Sequence, residues 1–544
     1  MFEHLQQHLN GLKREFRPGW RDAAALLALA AWALITLHPI LSAGFVLVDD
    51  HEILALVPQV GSSPDVRPAL DVRSMALDSD PSVGRFRPLY WTVRLGEVAA
   101  FGDNASLWHT AVLALGIASS AFLYGTARTL WATRVPALLL GAWLLVAPGV
   151  GSVWTRLGAD DTLATFFLCL AVFAAARAAR GGSFSQAWDV LFVLAATASV
   201  LSKEAFALAA IALAAFRALT TKHIGPAALA VGGLGIAETL VVFLIGASAG
   251  PLSYGGRYLA VPNVATYVRS LVQNAVILVY AGLGWLGLLV VWTLRSSLTD
   301  RCERRTAVAA SAVALVLVVP QLALYSQQGI FEGKYEAAAA IGVAGWSMSA
   351  LVWLGRRRQP QVYVAGLCLW SGVLLAFGFS TWTYAHSFTA DSVQLARLVN
   401  TVAGSTGSGQ TVGIAADPAR QYEPIVSLVD HVVHQGRSDL LFRVVPLEPD
   451  RPYTPLEASF ARAMASSNLS QGPSLTDVGC ASLDALIILG KEAQTRATLP
   501  CLNTGFRRIE FSESVLLWGG EGVSLRPRLP GWTSVGYVLL VRAS

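Results

Sequence analysis

Asp49, Asp50, His51 and Glu52 stand together directly after an apolar run. Two adjacent carboxylates repel each other, which raises the proton affinity of one of them, the more so where water is partly excluded. A carboxylate so placed can take a proton from a hydroxyl group. The same oxygens, helped by His51 or Glu52, suit a divalent cation. The plain structural alternative is a solvated end that stops a helix. Further on, Arg85 and Arg87 flank Phe86 and lead into Pro88-Leu89-Tyr90-Trp91. Guanidinium groups bind phosphate through paired N–H donors, and the aromatic setting suits an apolar chain attached to that phosphate. Anchoring of Arg and Trp at a membrane surface is the competing explanation. A second acidic pair, Asp160-Asp161, follows Trp154-Thr155-Arg156-Leu157-Gly158, and Lys203-Glu204 splits two apolar runs. Arg257 lies in Tyr254-Gly255-Gly256-Arg257-Tyr258, and Lys334 in Phe331-Glu332-Gly333-Lys334-Tyr335.

The elements that must position these residues are membrane helices. The 544-residue chain is 54% hydrophobic and 14% charged, with a mean hydropathy of +0.53. Soluble domains carry about 25% charged residues, so the composition excludes a disordered chain and speaks against an ordinary soluble enzyme. A net charge of +5 is too mild to indicate a nucleic-acid partner. Crossing a bilayer takes roughly 20 apolar residues. Eleven candidate spans follow, near 22–46, 105–127, 135–154, 161–180, 186–202, 205–219, 225–247, 268–294, 306–325, 336–354 and 361–383. With the N-terminus inside, the cytoplasmic segments hold seventeen Lys and Arg, and the short outer loops hold only Arg156, Lys203, Arg257 and Lys334. Basic residues retain cytoplasmic loops, so the first long loop (about 47–104) and the tail after residue 384 are expected outside. The first span reads as a retained anchor rather than a cleaved signal peptide. Residues 89–101 read as a helix lying along the membrane surface.

Every outer loop therefore brings Asp or Glu, Arg or Lys, or both to one side, and a shared polar cavity at the outer leaflet is expected. The chain divides into a transmembrane domain, 1–384, and an extracytoplasmic soluble domain, 385–544. That tail is read as α/β or α+β, with strands at 411–415, 441–446, 485–490 and 534–542 and helices at 391–403 and 424–435. Cys480 and Cys501, both in it, suit a disulfide or two buried thiols. Glu238, near the middle of the seventh span, is read as a packing hydrogen bond or a protonated side chain. No internal repeat is visible.

The order of these motifs resembles the GT-C superfamily of membrane glycosyltransferases. The nearer resemblance is to the protein O-mannosyltransferase-like branch, including the transmembrane O-mannosyltransferases that carry tetratricopeptide repeats. It rests on Asp49-Asp50, Arg87-Pro88-Leu89, His109, Gly158-Ala159-Asp160-Asp161-Thr162-Leu163 and Lys203-Glu204, and spans roughly residues 40–210. The chain departs from the branch in its second loop, where Arg156 is displaced and Asp160 added, and in its tail, which has no tetratricopeptide periodicity.

The resemblance implies a polytopic α-helical membrane protein of about eleven transmembrane helices, GT-C-like, in the bacterial inner (plasma) membrane. It implies transfer of a sugar, with inversion, from a polyprenyl-phosphate donor to an acceptor hydroxyl of a glycan, lipid or protein. Its catalytic carboxylates would be Asp49, Asp50 and Asp161, with Asp49 favoured as base, Asp50 supporting the loop or binding metal, and Asp161 orienting the acceptor or sharing a cation. Cations Arg85, Arg87, Lys203, Arg257 and Lys334 would hold the donor phosphate. His51, His109, Asp160 and Glu204 would support them. A divalent cation, Mg or Mn, would sit on Asp49 and Asp161 if one is used. Membrane lipids are the surrounding partner, and nucleic acid is not. The alternatives are a lipid-linked glycan transporter or flippase, which should show repeated halves and mid-membrane charges, a glycan polymerase or ligase, and a non-enzymatic scaffold.

Overall fold

The computed structural model describes residues 19–47, 50, 53–54, 86–131, 133–147, 150–158, 160–221, 224–249, 337–356, 360–416, 421–445, 470–471, 482–489, 505–517 and 531–542. Its helices in chain order are α1 (Trp20–Leu37), α2 (Pro88–Phe101), α3 (Ala105–Trp131), α4 (Arg134–Val146), α5 (Asp160–Ala179), α6 (Ser185–Ser202), α7 (Ala207–Thr221), α8 (Pro226–Ala249), α9 (Ala337–Arg356), α10 (Pro360–Ser405) and α11 (Tyr422–His434). Among the described residues six helical segments are long and apolar enough to cross a membrane: α1 with the turn after it, α3, α5, α6, most of α8, and α10. Helix α4 and the Ala337–Val352 part of α9 are shorter apolar segments. The expected spans 268–294 and 306–325 lie outside the described residues, as do Cys480 and Cys501.

These helices are apolar outside as well as inside. Leu27 and Ile35 of α1, Leu240 and Leu244 of α8, and Leu369 and Leu375 of α10 are all exposed. Such surfaces belong against lipid rather than water. Lipid gives no hydrophobic drive between helices, so close backbone approach matters. A Cβ on Gly141 of α4 would come within 2.9 Å of the Ser120 carbonyl of α3, and the Ser120 hydroxyl donates to the Gly141 carbonyl in return.

One end of the bundle is tied by charge. Asp22 of α1 is buried and accepts from Tyr124 Oη at 2.6 Å and from Arg128 Nε at 2.8 Å, both on α3. Arg134 of α4 stands 3.5 Å from the same oxygen, and Arg180, after α5, donates to the Thr129 carbonyl. Arg128, Arg134 and Arg180 are among the residues expected on the cytoplasmic side, and the fold brings them to one end. Removing one partner of such a buried pair strands the other, at a cost of about 3–5 kcal/mol. Asp22→Ala should therefore lower the unfolding temperature in detergent markedly, whereas Arg134→Ala, at the exposed edge of the cluster, should hardly change it.

At the opposite end the long helix and a sheet meet. Helix α10 has 46 residues, or about 69 Å at a rise of about 1.5 Å per residue, against a bilayer core of about 30 Å. It runs unbroken through residue 384, so the expected span 361–383 and the expected helix 391–403 are one rod. Its far part presents Leu395, Leu398, Val399 and Val402 to a six-stranded sheet. The strands are β1 (Thr411–Ala415), β2 (Leu441–Val445), β3 (Ser470–Gln471), β4 (Ala485–Ile488), β5 (Phe506–Leu517) and β6 (Gly531–Arg542), in the order β3-β2-β1-β4-β6-β5. The first four are parallel, and β6 runs antiparallel to β4 and β5. Central strand β4 is buried throughout, as parallel strands covered on both faces are. The sheet shares its core with Leu47 of the first loop, and His431 Nε2 of α11 lies 3.3 Å from the Val46 carbonyl. Val46 and Leu47, at the start of the first loop, thus lie against the C-terminal sheet and α11. A reporter fused after residue 405 should behave as exported; a cytoplasmic reading would reverse the assigned orientation.

Candidate functional site

Asp50 joins the first loop to the second. It is fully buried. Its Oδ2 accepts from the Val46 N–H at 2.9 Å, which folds its own loop into a turn. Its Oδ1 accepts from the N–H groups of Leu157 and Gly158, both at 3.3 Å. One carboxylate therefore binds three backbone donors on two loops 107 residues apart in sequence. Bonds to a charged acceptor are worth about 1.5–3 kcal/mol each, so the two loops are held in one arrangement.

Helix α2 braces the same stretch. Proline opens it, at the position where a missing N–H costs nothing. Arg87, Tyr90 and Arg94 fall at a spacing that puts them on one face, and all three are buried. Tyr90 Oη donates to the Gly158 carbonyl at 2.6 Å, and Arg94 donates to the Leu157 carbonyl. The Arg94 guanidinium lies over the rings of Tyr90 and Trp108, and Arg87 over those of Tyr90 and Trp91. Burial raises the Glu97 carboxyl above its ordinary range, and the ion pair with Arg94 at 2.8 Å opposes that rise.

A charged cluster continues from this brace. Arg87 Nη1 is 3.1 Å from Asp160 Oδ2, and Lys203 Nζ is 3.0 Å from Asp160 Oδ1 and 2.6 Å from Asp161 Oδ2. Local structure explains each placement. Asp160 and Asp161 form the first turn of α5, where the helix dipole favours negative charge. Lys203 follows the end of α6 in extended conformation, which turns its side chain back toward α5. It is 1% exposed. Two carboxylates and two cations from three separate segments thus form one buried, nearly neutral unit.

The structure therefore brings together Asp50, Arg87, Asp160, Asp161 and Lys203, as the sequence suggests, and adds Arg94 and Tyr90. It puts Asp160, expected only to support the site, at the centre of the ion cluster. Asp161 faces Lys203 rather than open space. Glu204 is buried beside Lys203, and Glu238 of α8 is buried close enough to Glu204 to interact with it electrostatically. Among the described residues Glu238 Oε1 has no hydrogen-bond partner, so the packing hydrogen bond expected of Glu238 is not made by that oxygen. His109 of α3 is buried, with Nε2 3.4 Å from the Gly44 carbonyl and its ring edge-on to Phe388. Asp49, His51, Arg85, Arg257 and Lys334 lie outside the described residues. Among the described residues no three His, Cys, Asp or Glu side chains form a metal-binding group.

Arg94 is legible in the sequence after the fact. It stands seven residues beyond Arg87, with Tyr90 between, a polar stripe on an otherwise apolar helix. Next to the clamp lies a cavity of ≈ 280 Å³ between the helices and the sheet, with Arg156, Tyr384 and Asp391 on one wall and Gln421 and Tyr537 on the other. Tyr537 Oη donates to Asp391 Oδ2 at 3.0 Å. Burial, and then the Asp391 charge, raise that hydroxyl well above its ordinary range.

The arrangement places loop-borne carboxylates and cations between a bundle of apolar helices and a mixed sheet. The chain is similar over its whole length to ArnT from Cupriavidus metallidurans in the apo state, with a TM-score of 0.51 and 11% identity, covering 96% of this chain and 98% of that one. Crystals of ArnT bound to undecaprenyl phosphate give a TM-score of 0.48 at 11% identity, covering 97% and 99%. At this identity the likeness is one of fold. No protein-family model matches the chain, and no curated protein matches it by sequence.

Proposed function

We propose that this protein is a membrane glycosyltransferase that moves a sugar from a polyprenyl-phosphate donor to an acceptor hydroxyl on the extracytoplasmic side. The observation that carries the reading is the loop cluster: Asp50 clamping two loops, with Arg87, Lys203, Asp160 and Asp161 buried beside it, in a fold shared with ArnT. A transporter would place its charges midway through the membrane. Here the charges collect where the helices end.

The transfer follows from the residues. The acceptor oxygen attacks the anomeric carbon from the face opposite the lipid phosphate, and the configuration inverts. Asp49 takes the hydroxyl proton as the new C–O bond forms. The old bond to the phosphate oxygen breaks, and the polyprenyl phosphate leaves with the electron pair. Cations placed where that charge develops lower the barrier. A guanidinium presents five N–H donors, of which Arg87 Nη1 already serves Asp160. Asp160 thereby fixes the plane of the Arg87 fork. Asp50 acts as a positioning residue for the loop that carries Asp49. Arg85, Arg257 and Lys334 are further candidates for the donor phosphate, and Asp49 with Asp161 for any divalent cation. The sheet beyond residue 405 is the extracytoplasmic domain in this reading.

Undecaprenyl phosphate is the probe of choice, because a polyprenyl phosphate is the lipid that the proposed transfer releases. Arg87→Ala should weaken its binding to the folded, purified protein by about one charge-assisted bond, ~10-fold or more, and should also lower the unfolding temperature, because Asp160 is left with Lys203 as its partner. Equal binding by wild type and Arg87→Ala would remove Arg87 from the donor site.

A further inference from the structure

The order of strands reverses between β1 and β4. Strands β2 and β3 lie on one side of β1, and β4, β6 and β5 on the other. Because β1 and β4 are parallel, the chain leaves both at the same edge of the sheet and then diverges. In open α/β sheets ligands sit in the crevice this creates, outside the carboxyl ends of the strands. The ≈ 280 Å³ cavity occupies that place. Gln421 and Pro424 come from the connection after β1 and the start of α11, Leu489 from the end of β4, and Ser534–Tyr537 from the part of β6 that projects past β4. The opposite wall is built by the membrane domain, from Arg156 of the second loop and from Tyr384, Phe388 and Asp391 of α10. Arg156 is buried and directly precedes Leu157 and Gly158, the residues held by Asp50. Gly536 on this wall has φ +141°, and a Cβ there would fall 1.8 Å from the Phe511 carbonyl, so its pairing with β5 calls for glycine.

We infer that this crevice binds a single sugar ring, seated between the C-terminal sheet and the second outer loop. The inference rests on the proposed transfer for the kind of ligand, and on the sheet topology and the cavity for the place. Tyr384, Phe388 and Tyr537 line the cavity, and aromatic side chains suit the C–H face of a pyranose or furanose. Arg156 donates, Asp391 accepts and Gln421 does both, which matches hydroxyl groups that each donate and accept. Arg156 and Asp391 leave no excess charge, which favours a neutral ring over an anion. Pockets for drug-sized ligands run to about 300–1,000 Å³, so this one holds one ring and not a chain. The ring belongs either to the acceptor or to the donor, and the experiment separates the two.

Saturation-transfer NMR on the full-length protein in detergent, with methyl glycosides of mannose, glucose, galactose and arabinose, tests the site. At least one glycoside should receive saturation from the wild type. Gln421→Ala and Ser534→Trp, the second filling the cavity, should reduce the signal at least fivefold, and Arg508→Ala, on the edge strand away from the cavity, should retain it. The unfolding temperature checks each variant, and Gln421→Ala, which only removes atoms, carries the test if the tryptophan does not fold. No signal from any glycoside, survival of the signal in Gln421→Ala, or binding confined to glucuronate and glucose 6-phosphate would overturn the inference. With polyprenyl-phosphate arabinose or mannose as donor and native membranes as acceptor, a raised donor KM in Gln421→Ala marks the ring as the donor's. An unchanged donor KM with reduced transfer marks it as the acceptor's. Failure of the wild type itself to bind undecaprenyl phosphate, with its glycoside signal intact, would sink the donor reading and leave the sugar site standing.

Discussion

Asp49→Asn is expected to lower sugar transfer by about 10²–10⁴-fold, the usual worth of a positioned general base, with the unfolding temperature unchanged. Asn is nearly isosteric with Asp but does not take up the hydroxyl proton, so the substitution separates chemistry from packing. Asp50→Asn should behave differently. Its two oxygens accept three backbone N–H groups, and an amide has only one acceptor oxygen. One set of donors would then face an NH₂ group, the two loops would separate, and both activity and thermal stability should fall. Transfer assays in membranes with matched protein levels, paired with melting curves in detergent, read the difference. A wild-type rate for Asp49→Asn with a dead but well-folded Asp50→Asn would exchange the two roles. Persistence of activity in Asp49→Asn, Asp50→Asn and Asp161→Asn alike would overturn the carboxylate mechanism.

The second large effect concerns stability. Lys203→Met keeps most of the side-chain volume but leaves Asp160 and Asp161 facing each other with one cation lost. Removing one partner of a buried ion pair costs about 3–5 kcal/mol, and here both carboxylates touch the lysine. The variant should be poorly folded or inactive. Adding Asp161→Asn removes the excess charge, so Lys203→Met/Asp161→Asn should recover part of the lost stability. The coupling read from the double-mutant cycle should be of the order of 0.5–3 kcal/mol. Additive effects would mean that the 2.6 Å contact contributes nothing.

How far the sequence reaches can be argued from particular elements. Membrane helices are legible because a bilayer demands long apolar windows, and α3, α5, α6 and α8 start within a residue or so of where those windows begin. The unity of α10 is less visible, because Ser387, Thr389 and Asp391 look like the start of a loop. Yet Leu395, Leu398, Val399 and Val402 keep the helical period, and neither Gly nor Pro interrupts residues 379–403. Strands β1, β2, β4 and β6 are apolar enough to read directly. Strand β5 escapes because it sits at the sheet edge and alternates buried with solvated positions, Arg507, Glu510 and Glu513 among its apolar residues. In the site, residue types on each loop announce themselves, but partners do not. Nothing local shows that Asp50 will accept from Leu157, or that Arg87 and Lys203 will share Asp160. Those pairings depend on how helices far apart in sequence pack.

The central claim is that the loop cluster cleaves a sugar from a polyprenyl phosphate. Its most direct test is mass-spectrometric detection of free polyprenyl phosphate. The full-length protein, in native membranes that carry the acceptor, would be offered polyprenyl-phosphate-linked pentoses and hexoses one at a time. The wild type should release free polyprenyl phosphate from at least one of these donors, and Asp49→Asn should not. Release from none of them, or equal release by Asp49→Asn, would contradict that claim.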